Sequence, residues 1–162
     1  MDEFDKKILT ALQRDASLST AALAERVGLS STPCWRRVQA LEQKGVLKRR
    51  VAIADPAALN LGVTVFVRVR TDQHSSVWLE RLQKTVDEIP EIIGFYRMSG
   101  DIDYLLRIVV PDIAGYDAVY QRLIRKVHFA EVSANFAMEI IKETTELPLN
   151  YMALEKPAKA RD

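Results

Sequence analysis

Two short helical patterns separated by a tight turn occupy residues 19–43, and they constrain the fold of this chain more than any other feature. The first pattern ends at Gly28, where a left-handed residue closes a helix at low cost. Helical spacing resumes at Ser30 or Ser31 and stops at Gly45. Two short helices joined by such a turn predict a helix-turn-helix.

Another helical pattern precedes this motif, and a basic segment follows it. Asp2 is placed to cap the first helix, whose apolar face consists of Phe4, Ile8, Leu9 and Leu12. Residues 46–54 are rich in β-branched and basic side chains, which predicts a small hairpin or wing. We therefore expect residues 1–54 to form a winged helix-turn-helix domain.

The net charge of +1 conceals a local excess of basic residues. Residues 31–50 contain six Lys or Arg side chains against one acidic side chain, Glu42, whereas residues 56–162 carry 13 basic against 15 acidic residues. A basic window on the second helix of a helix-turn-helix favours an anionic partner, and double-stranded DNA fits this description.

That helix has a polar face suited to DNA. With Val38 at the centre of the buried face, Arg36 lies roughly opposite. The hydroxyls and free N–H groups at the helix start suit a phosphate, and arginine paired with guanine is the commonest specific base contact. The predicted DNA-contacting residues are Ser31, Thr32, Trp35, Arg36, Arg37, Gln39, Lys48, Arg49 and Arg50. The alternative is an ordinary solvated helix face, with Trp35 packed against the wing.

From residue 62 the pattern changes to alternating strands interrupted by two helical stretches. The order β-α-β-β-α-β, with a last strand over residues 132–140, predicts a ferredoxin-like α+β domain over residues 62–150. Residues 55–61 are the expected linker, and residues 151–162 are an expected frayed tail. Two helices cover one sheet face, so self-association through the other face is expected.

Composition narrows the remaining possibilities. The longest uncharged stretch, residues 56–67, is shorter than the roughly 20 apolar residues that a membrane helix needs. The start of the chain is acidic, so we expect no signal peptide and a cytoplasmic protein. Cys34 is the only cysteine, which excludes an internal disulfide and a zinc site of clustered thiolates, and no metal or cofactor is expected. We interpret Cys34 as a small core residue; a redox sensor would require an exposed thiol with a lowered pKa.

Four segments together resemble the Lrp/AsnC (feast/famine) transcription regulators. These segments are residues 2–15 (D-x-x-D-x-x-I-L-x-x-L-Q-x-D), 30–37 (S-S-T-P-C-W-R-R), 99–107 (S-G-D-I-D-Y-L-L-R) and 136–148 (F-A-M-E-I-I-K-E-T-T-E-L-P). The resemblance covers about residues 2–150, and residues 74–78 and 94–98 are most similar to a cysteine-responsive subgroup. One departure is the run V-H-F-A-E at residues 127–131, where the family usually has Pro-Gly before the last strand.

The resemblance implies a winged helix-turn-helix joined to a ligand-binding domain, homodimers that can assemble into octamers, and an amino acid as effector. In the family the effector lies between subunits near the G-D-x-D-Y turn. Transferred to this sequence, the implied effector-binding residues are Met98, Ser99, Gly100, Asp101, Asp103, Tyr104 and Asn135.

The turn also has a physical rationale as an amino-acid site. Gly100 permits close backbone approach, so N–H groups can face a carboxylate, and Asp101 or Asp103 can accept hydrogen bonds from an ammonium group. The alternatives are that a Gly-Asp sequence between strands is simply a turn and that Tyr104 belongs to the core.

Two other function classes remain open. Some haem-pathway decarboxylases resemble the family fold, but tetrapyrrole chemistry requires placed histidines, and only His74 and His128 occur. We find no motif for a nucleophile–base pair, phosphate loop or metal cluster, so we expect no enzyme. The third class is a ligand-binding assembly module that has lost DNA contact.

Overall fold

A computed structural model describes residues 1–154, and it separates the chain into two compact units. Among these residues, the first unit comprises Met1–Ile53 together with residues 142–154, and the second is Ala54–Ile141. The predicted boundary near residue 54 lies close to this division, but residues 142–150 group with the first unit rather than with the second. Residues 155–162 of the predicted tail lie outside the described residues.

The first unit contains three helices, α1 (Glu3–Arg14), α2 (Thr20–Val27) and α3 (Ser31–Gln43). Asp2 and Asp5 form a reciprocal capping box at the start of α1, and Gly28 ends α2 in the left-handed region at φ 76°. The core of this unit consists of Ile8, Leu9, Ala11, Leu12, Leu23, Ala24, Val27, Cys34, Val38 and Leu41. The predicted helix-turn-helix is therefore confirmed.

The predicted hairpin over residues 46–54 is not formed. This segment contains no strand, and Val51 and Ile53 are 60% and 73% exposed. An isolated two-stranded hairpin with no layer to cover it is marginal in water, which explains why β-branched composition alone does not produce one here. Leu47 nevertheless packs against the helical core, so the beginning of this segment is held to the three helices.

The second unit is a four-stranded antiparallel sheet covered by two helices on one face. The chain runs through β1 (Val63–Arg70), α4 (Ser76–Asp87), β2 (Ile92–Arg97), β3 (Tyr104–Val110), α5 (Ile113–Lys126) and β4 (Glu131–Phe136). The strand order is β2-β3-β1-β4, and every neighbouring pair is antiparallel. This arrangement confirms the predicted ferredoxin-like α+β fold.

Alternation along β1 separates a buried face from an open one. Val65, Val67 and Val69 lie in the core shared with α4 and α5, whereas Phe66, Arg68 and Arg70 are exposed.

Among residues 1–154, none of the helices has the length and apolar character that crossing a membrane requires.

The last strand is shorter than predicted. It ends at Phe136 instead of continuing to Ile140, and Met138 is 95% exposed. The Ala137 N–H still donates to the Thr64 carbonyl (2.9 Å), but Val63 is the first residue of β1, so further residues have no strand to pair with. Alternating composition identifies residues able to form a strand, and only a neighbouring strand decides where it ends.

Candidate DNA interface and effector site

The N-terminal half of α3 presents an exposed polar surface. Thr32 and Arg36 are exposed, and about half of the Trp35 surface (52%) is open to solvent. Within residues 1–154, Arg36 makes no hydrogen bond or ion pair. The side chain of Ser30, the N-cap residue, caps no backbone N–H, so the first turn of α3 retains donors for an anion.

Arg37, the next residue, has a different environment. Its Nη1 atom lies 2.8 Å from carboxylate oxygens of both Asp2 and Asp5, and the guanidinium lies 5.4 Å from the centre of the Phe4 ring. Burial lowers the pKa of Arg37, but the hydrogen bonds that Arg37 donates to Asp5 and Asp2 outweigh that effect and raise it. Arg37 therefore fixes α3 to the start of α1.

The other predicted DNA-contacting residues divide into paired and open side chains. Gln39 donates to Glu42 (2.9 Å), and Arg50 donates to the other carboxylate oxygen of Glu42 (3.3 Å). Lys48 and Arg49 are exposed and have no partner within the described residues. The single acidic side chain of this basic window is thus already engaged twice.

Cys34 lies beneath this surface. Its side chain is 0% exposed, and burial raises the pKa of the thiol. A raised pKa and a closed environment are the opposite of what a redox sensor requires, so Cys34 is a core residue.

The turn between β2 and β3 is held by backbone hydrogen bonds. The Met98 N–H donates to the Asp103 carbonyl (2.8 Å), and the Asp103 N–H donates to the Val69 carbonyl (2.9 Å). Gly100 has a φ of 110°, a value that side chains rarely tolerate, and it is exposed together with Met98 and Ser99. The tip of the turn is therefore open while its base is fixed to β1.

The two carboxylates of the turn have separate roles. Asp103 accepts a hydrogen bond from the buried Thr71 N–H (2.8 Å), so its carboxylate stabilises the end of β1. Asp101 has an 86% exposed side chain and accepts from the Arg68 guanidinium (2.9 Å). Of the two acceptors predicted for an ammonium group, Asp101 is the accessible one.

Arg68 and Arg70 were missed by the sequence reasoning. They line a cavity of about 120 Å³ on the open sheet face. The other lining residues are Asp101, Ile102, Glu131 and Ser133. Arg70 pairs with Glu131 at 3.3 Å, so two cations and two carboxylates surround one small space. Their alternation along β1 was the available signal, because it placed both arginines on the open face.

The remaining predicted effector residues do not line this cavity. Tyr104 is 7% exposed, and its ring centre lies 5.4 Å from Phe95 and 5.7 Å from Trp78. Its side chain belongs to the core, as the alternative interpretation held. Asn135 is exposed on β4 and pairs with Phe66 in the sheet register. Within residues 1–154, no cluster of three His, Cys, Asp or Glu side chains is arranged to hold a metal ion.

Comparison with known proteins decides the family. Residues 1–48 match a model described as winged helix-turn-helix DNA-binding, and residues 64–147 match the Lrp/AsnC ligand binding domain. The chain belongs to the Lrp/AsnC family of transcriptional regulators. It is a DNA-binding transcriptional regulator.

Relatives of this Lrp/AsnC regulator extend over almost the whole chain. It is 49% identical to the glutamate uptake regulatory protein of Zymomonas mobilis over 92% of this chain and 91% of that one. It is 47% identical to the transcriptional activator DecR of Escherichia coli over 92% and 99% of the two chains, which supports the predicted subgroup. An AsnC family regulator from Agrobacterium tumefaciens has 59% identity and a TM-score of 0.92, covering 94% of this chain and 100% of that one.

The regulator's departure from the family pattern lies before β4. The carbonyl of His128 accepts a hydrogen bond from the Trp78 indole (3.0 Å), and the Ala130 N–H donates to the Arg70 carbonyl (3.0 Å). These two bonds fix the loop to α4 and to β1 without the usual Pro-Gly sequence.

Proposed function

We propose that this regulator changes its affinity for DNA when a free amino acid binds beside Asp101. The observation that carries the proposal is the cavity in which Arg68 and Arg70 face Asp101 and Glu131. A free amino acid carries one carboxylate and one ammonium group, so this arrangement offers a partner for each. A Neisseria meningitidis regulator solved with L-methionine supports the choice of ligand class; it is 32% identical to this chain, has a TM-score of 0.89, and the match covers 94% of this chain and 99% of that one.

In this proposal, Arg68 receives the α-carboxylate together with N–H groups of the turn at Gly100, and Asp101 accepts from the ammonium group. The existing Arg68–Asp101 pair is exposed, so the free energy lost when a ligand separates it is small. Met98, Ser99 and Asn135 remain proposed effector contacts, while Asp103 holds the turn through the Thr71 N–H and Tyr104 packs in the core.

At the DNA, Arg36 reads a base edge in the major groove. The proposed accompanying contacts come from Ser31, Thr32, Trp35, Gln39, Lys48, Arg49 and Arg50. We assign Arg37 a positioning role, because both carboxylates at the start of α1 already bind its guanidinium.

The protein works as a homodimer or larger homo-oligomer in the cytoplasm, without a metal, a cofactor or an enzymatic activity. The support for self-association is the open sheet face, where Phe66 is 37% exposed. In this proposal a second copy on that face also covers the small cavity, which lies beside Arg68 and Arg70 on the same face.

Thermal unfolding in the presence of each of the twenty amino acids tests the proposal. A ligand that binds only the folded protein raises the melting temperature. At a ligand concentration of 100 times the Kd, it adds about 2.7 kcal/mol to the free energy of unfolding. We expect one or a few amino acids to raise it and to alter the affinity for DNA from the protein's own promoter. The corresponding amines, which lack the carboxylate, are the control. A uniform absence of any shift, with promoter binding unchanged, contradicts the effector role.

A further inference from the structure

The first unit contains a segment that neither matched family domain includes as a whole. The matches end at residues 48 and 147, whereas residues 142–152, here termed the strap, group with the three helices. The strap is separated in sequence from α3 by the entire second unit.

Polar contacts hold the strap to the C-terminal end of α1. The Gln13 side chain donates to the Leu147 carbonyl (3.3 Å), and the Leu147 N–H donates to the Gln13 Oε1 atom (2.6 Å). Arg14 donates to the Glu146 carboxylate (3.1 Å). One amide side chain that pairs with both the backbone N–H and the backbone carbonyl of Leu147 fixes the register of the strap.

Apolar contacts anchor the end of the strap. Leu149 and Met152 pack against the helical core, whereas Tyr151, in the same 3-10 turn Leu149–Tyr151, is 84% exposed. Leu149 in this turn and Met152 directly after it are therefore the anchors, and Tyr151 faces solvent.

The strap also continues directly from the sheet of the second unit. The Ala137 N–H donates a hydrogen bond to the Thr64 carbonyl, next to the start of β1. Only residues 138–141 separate Ala137 from the strap. The two units are thus joined by two covalent connections, the linker after Ile53 and this short stretch. We propose that the strap couples β4 to the DNA-binding helices, so that ordering of either one restrains the other. The inference rests on the DNA-binding role and not on the proposed amino-acid effector.

The test lengthens this connection while leaving both units and the docked strap intact. Gly-Ser-Gly-Ser is inserted between Ile141 and Lys142 in the full chain, and the control carries the same insertion after Leu154. Hydrogen exchange of β4 is measured with and without DNA from the protein's own promoter. In the natural chain and the control, we expect DNA to slow exchange of β4 by about fivefold, the lower end of typical coupling between sites. In the insertion variant this protection is lost.

A second variant tests the anchors without altering the chain length. Leu149→Ala combined with Met152→Ala should release the strap and accelerate its exchange, whereas Tyr151→Ala should leave it unchanged. No amino acid is added in either experiment, so a failure of the effector proposal leaves both readouts intact. The coupling is overturned if DNA leaves the exchange of β4 unchanged in the natural chain, or if the protection survives the insertion.

Discussion

Two adjacent arginines on α3 have opposite environments. Arg36 is exposed and has no partner within residues 1–154, whereas Arg37 is shared by Asp2 and Asp5. An unpaired guanidinium is available to a nucleic acid without first breaking an ion pair. Arg36 is therefore suited to the DNA contact proposed for it, and Arg37 to holding α3 against the start of α1.

Substitution of Arg36 tests this difference. One bidentate base contact contributes about 1–3 kcal/mol of discrimination, so Arg36→Ala should weaken binding to the promoter by roughly 5- to 150-fold. Arg36→Lys keeps the charge and should restore the salt dependence but not the sequence preference. Arg26→Ala, on the exposed side of α2, is the control for a general loss of positive charge. Affinity equal to that of the control would remove Arg36 from the proposed interface.

The proposed ammonium and carboxylate partners are tested in the same way. Hydrogen bonds to charged groups contribute about 1.5–3 kcal/mol, so Arg68→Gln and Asp101→Asn should each weaken amino-acid binding by roughly 10- to 150-fold. Calorimetric titration with an amino acid that raises the melting temperature measures this loss. Arg81→Gln, on the exposed surface of α4, should bind as the natural protein does. Full affinity in both cavity variants would place the ligand elsewhere.

Residue types were easier to predict than residue partners. The G-D-x-D-Y turn identified Asp101, but nothing in the sequence distinguished it from Asp103, whose role depends on the Thr71 N–H. Arg68 lies 33 residues from Asp101 and meets it only because β1 pairs with β3. Local patterns therefore find the turn, and strand pairing completes the cavity.

At the scale of elements, α1 is held at its N-terminus by one small charged network. Burial would raise the pKa of Asp2, but hydrogen bonds from the Asp5 N–H and from Arg37 outweigh that effect and keep it below its ordinary value of 3.8. A carboxylate with a lowered pKa in the folded state contributes stability above its unfolded pKa. That contribution is lost as the pH falls from 3.8 through the lower folded value.

Acid unfolding should therefore depend on Asp2. Asp2→Asn keeps a side chain that caps helices well but removes the charge that Arg37 binds. We expect the variant to be less stable than the natural protein at pH 7 and to lose less stability between pH 5 and pH 2. Thermal unfolding followed by circular dichroism across this range measures both effects. If the melting temperatures of the two proteins change with pH in the same way, the Asp2 charge does not stabilise α1.

The helices were predicted more closely than the strands. Caps such as Asp2 and terminators such as Gly28 are local signals, and they located all three helices of the first unit. The predicted hairpin at residues 46–54 and the predicted end of the last strand were wrong for one reason. A strand requires a partner strand at the right place, and composition does not specify where that partner stops.

At the scale of the whole molecule, the open sheet face should control self-association. Phe66→Glu places a charge in that face, and burying an unpaired charge is strongly unfavourable. We expect the variant to shift toward monomers, with dimerisation at least about tenfold weaker by analytical ultracentrifugation. Val77→Glu, at a 64% exposed position on α4, should leave the assembly unchanged. If the two variants form assemblies of equal mass in solution, the interface lies on another surface.

The complete burial of Cys34 has a practical consequence for following these events in solution. Its thiol is closed to solvent and harder to ionise than usual, so maleimide reagents should leave the folded natural chain unlabelled. A cysteine introduced at Tyr151 would then be the one site that accepts a fluorophore. Such a dye would report the movements of the C-terminal segment without background from the native sulfhydryl.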